Sequence, residues 1–281
     1  MAVTTWVWIN DEIVRGEDAR ISALDHGITV GDGVFETMKI VGTTPFAMRR
    51  HLERLRHSAS VIGLNVGWTD SQLRQICDET IAAASGEEPP GRIRITITGG
   101  PGPLGSDRGD VEPTLIVAVS PSSPWPLCTD VATVAWTRNE RSAIAGAKTT
   151  SYGENVVALA HAHKLGASEA IMANTQGVLC EGTGSNIFFE VDGKLATPAL
   201  STGCLAGVTR ALVCESVEVD ERDDLTFEHL LNTTEAFLTS STRNVHPISH
   251  VNSTRLVWLN GPFTQGAADA LRDIEAERLD P

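Results

Sequence analysis

The stretch SPSSPWP, residues 120–126, divides this 281-residue chain into two parts. Its three prolines remove backbone hydrogen-bond donors, so the stretch cannot continue a regular helix or a central strand. We therefore predict an interdomain linker at residues 120–127, between an N-terminal α+β domain (1–119) and a C-terminal α/β domain (128–281). A chain of this length with 41% hydrophobic residues can bury a core in each part.

The part before the linker mixes strand and helix patterns. TWVWINDEIV, residues 5–14, alternates apolar and polar residues on both sides of Asn10-Asp11, which predicts a β-hairpin. Thr69-Asp70-Ser71-Gln72 is a capping box, which predicts that a helix starts there. The other periodic runs predict helices over 48–62 and 70–85 and strands over 92–98 and 114–119.

The part after the linker has the same mixture. Its patterns predict strands at 131–136 and around 170–173 and 187–191, and helices at 154–165, from about Val208, and near 265–278. No strict βαβ order and no internal repeat occurs in either part. The predicted class is therefore α+β, or mixed α/β, rather than a doubly wound fold.

The charge of the chain argues against two kinds of partner. A formal net charge of −14 repels nucleic-acid phosphates and anionic lipids, and the 22 Lys and Arg residues are scattered along the chain. The start of the sequence has no basic segment followed by an apolar stretch, and no run of 18 apolar residues occurs. We therefore expect a cytoplasmic protein that binds neither nucleic acid nor membranes.

Neither the cysteines nor the histidines predict a metal site. The five cysteines are odd in number, widely spaced and without a Cys-x-x-Cys pair, so we interpret them as reduced core residues. His161 and His163 are two residues apart on a predicted helix and point to different faces, whereas a chelating pair needs a spacing such as i, i+4. We predict no bound metal.

Five motifs follow one another along most of the chain: GDGVFET (31–37), HLERL (51–55), AKTTSYGEN (147–155), NTQGVLCEGTGSNIFF (174–189) and TPALSTGCLAGVTRAL (197–212). As a set they resemble the fold-type IV pyridoxal-phosphate enzymes. This class IV aminotransferase family includes branched-chain and D-amino-acid aminotransferases and 4-amino-4-deoxychorismate lyase. The resemblance implies a two-domain architecture with pyridoxal 5′-phosphate between the domains, and a homodimer.

The resemblance assigns the reactive end of the cofactor to three residues. Lys148 matches the lysine that carries the cofactor as a Schiff base, and its amine must be able to lose a proton. Glu181 matches the carboxylate that keeps the pyridine nitrogen protonated, so that the ring can withdraw electrons. Tyr152, the only tyrosine, lies where family members place a ring whose hydroxyl can bond the phenolate oxygen.

The resemblance also assigns a phosphate site. A phosphate dianion favours a guanidinium together with hydroxyl or backbone N–H donors at the start of a helix. Arg54 in HLERL, Val208-Thr209 at the start of a predicted helix and Ser241-Thr242 match the family's phosphate contacts.

A substrate carboxylate requires a cation, and Arg92, Arg94 and Arg108 are the candidates. Alternation along a strand places Arg92 and Arg94 on one face, where they form either a paired clamp or ordinary ion pairs. Phe35 is expected to form a wall of the substrate pocket.

Two reactions remain open. We predict transamination between an amino acid, of D- or branched-chain type, and a 2-oxo acid. The alternative is 4-amino-4-deoxychorismate lyase, which releases pyruvate and forms 4-aminobenzoate for folate synthesis. Thr37 resembles the lyase branch, where a threonine handles a proton. Lys39, by contrast, resembles the D-amino-acid branch, and Arg94 resembles the branched-chain branch.

Overall fold

The computed structural model describes residues 4–86 and 88–281. Helices and strands are mixed in both halves of these residues, which form two sheets and seven α-helices. The predicted α+β class is confirmed. No helix of the described chain is long and apolar enough to cross a bilayer.

The chain forms two compact units. The first runs to Pro124 and also contains Ala147–Tyr152 and Arg278–Pro281, and the second consists of Trp125–Gly146 and Gly153–Glu277. The segment that carries Lys148 therefore belongs to the first unit, although it follows the predicted linker. The predicted domain bounds stay predictions.

The first unit holds a six-stranded sheet in the order β2-β1-β6-β5-β3-β4. Its elements are β1 (Trp6–Ile9), β2 (Glu12–Arg15), α1 (His26–Thr29), β3 (Gly33–Val41), β4 (Thr44–Pro45), α2 (Met48–Val61), α3 (Asp70–Ala84), β5 (Arg92–Thr98) and β6 (Thr114–Ser120). All of its strand pairs are antiparallel. Apolar side chains from β3, β5, β6, α2 and α3 form one core.

The local signals of the first unit act as predicted. Asn10 and Asp11 have φ of 52° and 61° and form the tight turn of the β1–β2 hairpin. At the start of α3, the Gln72 N–H donates to Thr69 Oγ1 at 3.3 Å, and the Thr69 N–H donates to Gln72 Oε1 at 2.8 Å. This reciprocal pair confirms the capping box.

The second unit holds a nine-stranded mixed sheet in the order β12-β11-β10-β13-β14-β7-β8-β9, with β15 paired to β14. Its elements are β7 (Thr129–Arg138), α4 (Gly153–Lys164), β8 (Glu169–Asn174), β9 (Leu179–Gly182), β10 (Asn186–Val191), β11 (Lys194–Pro198), a 3₁₀ turn (Leu200–Thr202), α5 (Val208–Ser216), β12 (Asp220–Arg222), α6 (Phe227–Asn232), β13 (Ala236–Ser240), β14 (Asn244–Val251), β15 (Thr254–Arg255) and α7 (Pro262–Glu277).

Helix α7 begins earlier than the sequence predicts. The periodic pattern starts near residue 265, whereas the helix begins at Pro262. Proline suits the first helical position because its missing N–H would have no partner there. The Glu235 carboxylate accepts hydrogen bonds from the N–H groups of Phe263 and Thr264 at 3.3 and 2.5 Å, so a distant residue stabilises this helix start.

The five cysteines carry free thiols. Cys77, Cys180 and Cys204 are buried, and Cys128 and Cys214 are partly buried. Burial raises the pKa of the Cys77 thiol to about 12, so it stays protonated at neutral pH. No group of three or more His, Cys, Asp or Glu side chains suited to a metal ion occurs within residues 4–86 and 88–281.

Candidate active site

The backbone of Lys148 lies beside strand β3 of the first unit. Its carbonyl oxygen accepts a hydrogen bond from the Phe35 N–H at 3.0 Å, and its own N–H donates to Ser58 Oγ at 2.9 Å. The Thr150 N–H donates to Gly33 O at 2.8 Å. A Cβ at position 33 would lie 3.0 Å from Thr150 Oγ1, so glycine allows this close approach. These hydrogen bonds fix where the Lys148 side chain begins.

The amine of Lys148 lies among aromatic rings. Lys148 Nζ is 4.4 Å from the centroid of the Phe35 ring and 5.8 Å from that of the Tyr152 ring. The two rings meet edge to face with centroids 5.3 Å apart. The Arg94 guanidinium lies 3.6 Å from the centroid of the Phe35 ring. Lys148 and Arg94 therefore contact the same ring, which brings four sequence-predicted residues together.

Glu36 lies on the other face of β3 and is fully buried. Its carboxylate accepts hydrogen bonds from Arg54 Nε and Nη2, both at 2.7 Å, and from His51 Nδ1 at 2.7 Å. Burial opposes ionisation of Glu36, but the charge and hydrogen bonds of Arg54, with the His51 hydrogen bond, outweigh it and lower the pKa of Glu36 to about 2. Burial lowers the pKa of His51, so its ring is neutral at pH 7.

Sequence reasoning missed Glu36 and His51, although both lie in motifs that it singled out, GDGVFET and HLERL. Arg54 was predicted as a phosphate contact, and that role stays a prediction. Its Nε–Nη2 edge is bound to Glu36, which fixes the orientation of the guanidinium plane. A phosphate would therefore meet Arg54 along its other edge.

In the second unit, Glu181 on β9 is only 8% exposed and is held by a donor at each oxygen. Arg138 Nε donates to Oε1 at 3.1 Å, and the Leu205 N–H donates to Oε2 at 2.9 Å. Arg138 in turn donates to Asn155 Oδ1 at 3.2 Å. This network fixes the orientation of the Glu181 carboxylate.

Sequence reasoning also missed Arg138 and Asn155. Asn155 is the last residue of the AKTTSYGEN motif, so its place in that motif could have marked it as a site residue. Arg138 is 43 residues from Glu181 in the chain, and no sequence pattern connects the two.

The predicted phosphate contacts Val208 and Thr209 form the first turn of α5, and both are buried. Gly207 caps this helix and has no side chain to bond its first N–H groups. A Cβ on Gly207 would lie 2.0 Å from Asn186 Oδ1, so only glycine fits here. Asn186 Nδ2 donates to Leu205 O at 2.9 Å and so holds the chain that leads into α5.

The predicted contacts Ser241 and Thr242 form the turn between β13 and β14. Asn186, at the start of β10, pairs with Thr239 near the end of β13. This turn and the start of α5 therefore lie at the same end of the second unit's sheet. The combination of first-turn N–H groups and two hydroxyls suits an anion.

The predicted carboxylate-binding arginines have different surroundings. Arg92 and Arg94 lie on one face of β5, as the alternation predicts. Arg92 Nε donates to Ser120 Oγ at 3.0 Å, and Arg94 Nε donates to Thr96 Oγ1 at 3.1 Å. Neither bond is the ion pair with an acidic neighbour that the sequence left open. Partial burial of the guanidinium lowers the pKa of Arg94.

Arg108 is bound to a carboxylate of the protein itself. Its Nε and Nη2 donate to the two oxygens of Asp32, each at 2.6 Å. It also donates to the carbonyl oxygens of Ile62 and Gly63, at 2.8 and 2.6 Å. Arg108 therefore holds the glycine-rich loop, residues 99–110, against the rest of the first unit. It can bind a substrate only if its hydrogen bonds to Asp32 break.

Thr37 is partly buried on β3, directly opposite Arg94 on β5. Alternation along β3 places Thr37 on the same face as Phe35. Lys39, two residues further on, lies with its amine 4.5 Å from the centroid of the Phe46 ring.

Residues 33–251 match the family model of amino-transferase class IV. The chain belongs to this family, which uses pyridoxal 5′-phosphate. The family match covers the Lys148 segment, the Glu181 network and the start of α5. The predicted cofactor is thereby confirmed for the family.

Relatives with different activities are about equally similar to this chain. An aminodeoxychorismate lyase from Bacillus subtilis is 27% identical over 269 residues, which covers 92% of this chain and 90% of the relative. A D-alanine aminotransferase from Listeria monocytogenes is 26% identical over 284 residues and 92% of each chain.

The fold of a solved branched-chain aminotransferase is also similar. The structure of the enzyme from the archaeon Thermoproteus uzoniensis with norvaline aligns with a TM-score of 0.87 at 30% identity, and the alignment covers 96% of this chain and 94% of that one. These similarities define the family and the fold, while the exact substrate and the choice between transaminase and lyase remain for experiment.

The residues of this chain fit the cofactor of the family. Glu181 is a buried carboxylate with a fixed orientation, and a protonated pyridine nitrogen requires a carboxylate acceptor. The start of α5 presents backbone N–H groups that no cap side chain occupies, as a phosphate requires. Lys148 supplies an amine beside two aromatic rings.

Proposed function

We propose that this chain is a transaminase that moves an amino group between an amino acid, of D- or branched-chain type, and a 2-oxo acid. The observation that carries the proposal is the position of Lys148, whose amine lies 4.4 Å from the centroid of the Phe35 ring and shares that ring with Arg94. The reaction requires an amine at this position, because a lysine amine both forms the Schiff base and accepts a proton.

The reaction requires a group that takes the proton from the substrate Cα. Bound pyridoxal phosphate supplies an aldehyde for the amino group and a ring that withdraws electrons from that carbon. We assign the proton transfer to Lys148 Nζ and assign to Glu181 the stabilisation of positive charge at the ring nitrogen. Arg138 and Leu205 hold the Glu181 carboxylate in place.

We assign the phosphate to Arg54, to the first turn of α5 at Val208-Thr209, and to Ser241-Thr242. We also assign the Tyr152 hydroxyl to the phenolate oxygen of the cofactor. Phe35 forms a wall beside the reacting amine. For the carboxylate of the substrate, the sequence predicts Arg92, Arg94 or Arg108.

A specific observation supports the lyase alternative. Thr37 shares a face of β3 with Phe35, whose ring the Lys148 amine contacts. A hydroxyl at this position suits the delivery of a proton to a leaving pyruvate. Lyase and transaminase would use the same Lys148 and Glu181, so Thr37 and the substrate pocket decide between them.

A screen of paired D- and L-amino acids with a 2-oxo acid acceptor tests the proposal. The expected result is new 2-oxo acid from D-alanine or L-leucine, with a shift in the absorbance of the bound cofactor. If no donor gives a 2-oxo acid while aminodeoxychorismate releases pyruvate, the transaminase assignment fails and the lyase replaces it. Thr37→Val then separates the two, because it should abolish pyruvate release and leave transamination measurable.

We also propose that the protein is a homodimer, as the family resemblance implies, and that it acts in the cytoplasm. Sedimentation of the cofactor-loaded protein tests the dimer, and a single species with the mass of one chain would contradict it.

A further inference from the structure

Arg243 is a buried cation that the function proposed above does not use. Its side chain is only 9% exposed, and it follows directly after Ser241-Thr242. Its Nη2 lies 3.3 Å from Ser168 O and 3.5 Å from Glu169 Oε2. Its Nη1 is buried and has no hydrogen-bond partner among the described residues. An unsatisfied N–H on a buried charge is unfavourable, so this atom calls for a partner.

Glu169 makes only a long contact with Arg243, and its carboxylate is held at short distance by other, uncharged donors. Glu169 Oε1 accepts from the Thr183 N–H at 2.9 Å and from the Thr183 hydroxyl. Glu169 Oε2 accepts from Ser185 Oγ at 3.0 Å. The Arg243 contact is longer than these, at 3.5 Å. Glu169 therefore anchors the loop that follows Glu181 and is shared with Arg243.

One side of Arg243 is covered by an exposed aromatic ring. The centroid of the Trp125 ring is 4.1 Å from the guanidinium carbon, and Trp125 is 42% exposed. His246 lies on the same indole with ring centroids 5.9 Å apart, and its Nδ1 is also buried without a hydrogen-bond partner in the described part of the chain. The Trp125 ring thus lies between the Arg243 guanidinium and the surface of the protein.

We propose that Arg243 binds the carboxylate group of the substrate, with Trp125 lying against the substrate's carbon chain. The inference rests on the proposed function, since it names the binding residue for that enzyme's amino acids and 2-oxo acids. A carboxylate is the matching ligand because its oxygen can accept the Nη1 hydrogen bond, and a charge-assisted bond between guanidinium and carboxylate is stronger than one to a neutral acceptor. Ligand access then requires a shift of the Trp125 indole.

The sequence analysis did not single out Arg243. Arg92 and Arg94 each donate to a neighbouring hydroxyl, and Arg108 is bound to Asp32. Arg243 differs from all three in being buried with an unpartnered N–H. The signal in the sequence is only its place next to Ser241-Thr242, so the argument depends on the structure.

Binding of two probes without an amino group tests the proposal. 4-Methylpentanoate carries the carboxylate, and 4-methylpentanamide is its neutral counterpart of the same shape. Their affinities for the cofactor-loaded protein are measured by calorimetry for the wild type, Arg243→Met, Arg243→Lys and the control Arg222→Met. Arg222 is paired with Asp224 in the same unit.

We expect Arg243→Met to lower the affinity for the acid by about 30-fold or more and to leave the affinity for the amide nearly unchanged, because only the acid loses a buried charged partner. The affinity of Arg243→Lys for the acid should lie between those of the wild type and Arg243→Met. Arg243→Lys replaces Arg243→Met in the comparison if Arg243→Met does not fold. Cofactor affinity should not change in either variant, and Arg222→Met should resemble the wild type.

A preference for acid over amide that is equal in the wild type and the Arg243 variants overturns the inference, as does a wild type that binds no acid. These outcomes differ from failure of the proposed function. That failure is the absence of 2-oxo acid formation by the wild type, and the acid-to-amide preference can still be measured then.

Discussion

Glu36 keeps its charge where water does not reach, and its contribution to stability therefore depends on pH. Its pKa is about 2 in the folded protein, against an ordinary value of 4.5. A carboxyl with a lowered folded pKa stabilises the protein above its ordinary pKa, and this is lost as the pH falls through the folded pKa. The difference corresponds to on the order of 3 kcal/mol at neutral pH.

Glu36→Gln is therefore expected to lower the free energy of unfolding by about 3 to 5 kcal/mol at pH 7, because Arg54 stays buried without its counter-charge. The difference in unfolding free energy between wild type and variant should narrow as the pH falls from about 4.5 through 2, because Glu36 is protonated in both the folded and the unfolded state only below its folded pKa. Urea unfolding of the wild type and the variant at several pH values measures this difference. Glu53→Gln, which changes an exposed carboxylate on α2 next to Arg54, should change stability by less than about 1 kcal/mol. A gap independent of pH would contradict the assigned pKa.

Lys148→Ala is expected to abolish activity, whether the reaction is transamination or the lyase reaction, because both need this amine. The absorbance that marks covalent attachment of the cofactor should be lost as well. Lys164→Ala, which removes an exposed lysine at the end of α4, is the matched control. Turnover by the Lys148 variant at the wild-type rate would refute the assignment.

At this scale the sequence predicted the residue types but not their protein partners. Lys148, Phe35, Tyr152 and Arg94 were singled out, and they lie together around one ring. Glu36 was not, because its partner Arg54 is 18 residues away and the pair forms only when β3 packs on α2. Long-range pairing of this kind has no local sequence signal.

The start of α5 depends on a glycine. Gly207→Ala would place a Cβ 2.0 Å from Asn186 Oδ1, and Asn186 is buried, so the chain entering α5 must shift. We expect a loss of about 1 to 3 kcal/mol in unfolding free energy and weaker cofactor binding. Thermal unfolding and cofactor titration measure the two effects.

Gly266→Ala is the matched control within α7, where no atom lies within 4 Å of the added Cβ. Alanine in a helix interior should raise stability by about 0.5 to 1 kcal/mol and leave cofactor binding unchanged. Equal effects from the two substitutions would contradict the assigned role of Gly207.

The glycine-rich loop is held by Arg108 through Asp32, Ile62 and Gly63. Arg108→Met should therefore speed amide hydrogen exchange over residues 99–110 and leave exchange in β5 unchanged. Exchange read by mass spectrometry tests this. If protection in the loop did not change, other contacts would be holding it.

Local signals predicted most elements closely. The hairpin turn at Asn10-Asp11 and the capping box at Thr69 follow from short-range chemistry, and both are present. The start of α7 was placed late, because Glu235, whose carboxylate binds the first N–H groups, is far away in sequence. Short-range rules cannot locate such a cap.

For the whole molecule, a single site that serves both amino donor and 2-oxo acceptor predicts ping-pong kinetics. Double-reciprocal plots at several acceptor concentrations should give parallel lines. Intersecting lines would show that both substrates bind together, which this proposal does not allow.

The family and the α+β class could be predicted because their motifs are spread along the chain. By contrast, the sequence did not predict which segments of the chain make up the first unit. A proline-rich stretch predicts a single domain boundary, whereas the segment Ala147–Tyr152, which follows that boundary, belongs to the first unit and pairs with β3. Only the three-dimensional contacts of Gly33 and Phe35 show this return.

The return of residues 147–152 also affects the order of synthesis. On the ribosome β3 emerges long before Lys148, so one edge of its first half has no partner until the later segment has been made. A nascent chain that stops after the linker would expose that edge to other chains. The segment with the reactive lysine is thus also the one that closes the sheet of the first unit.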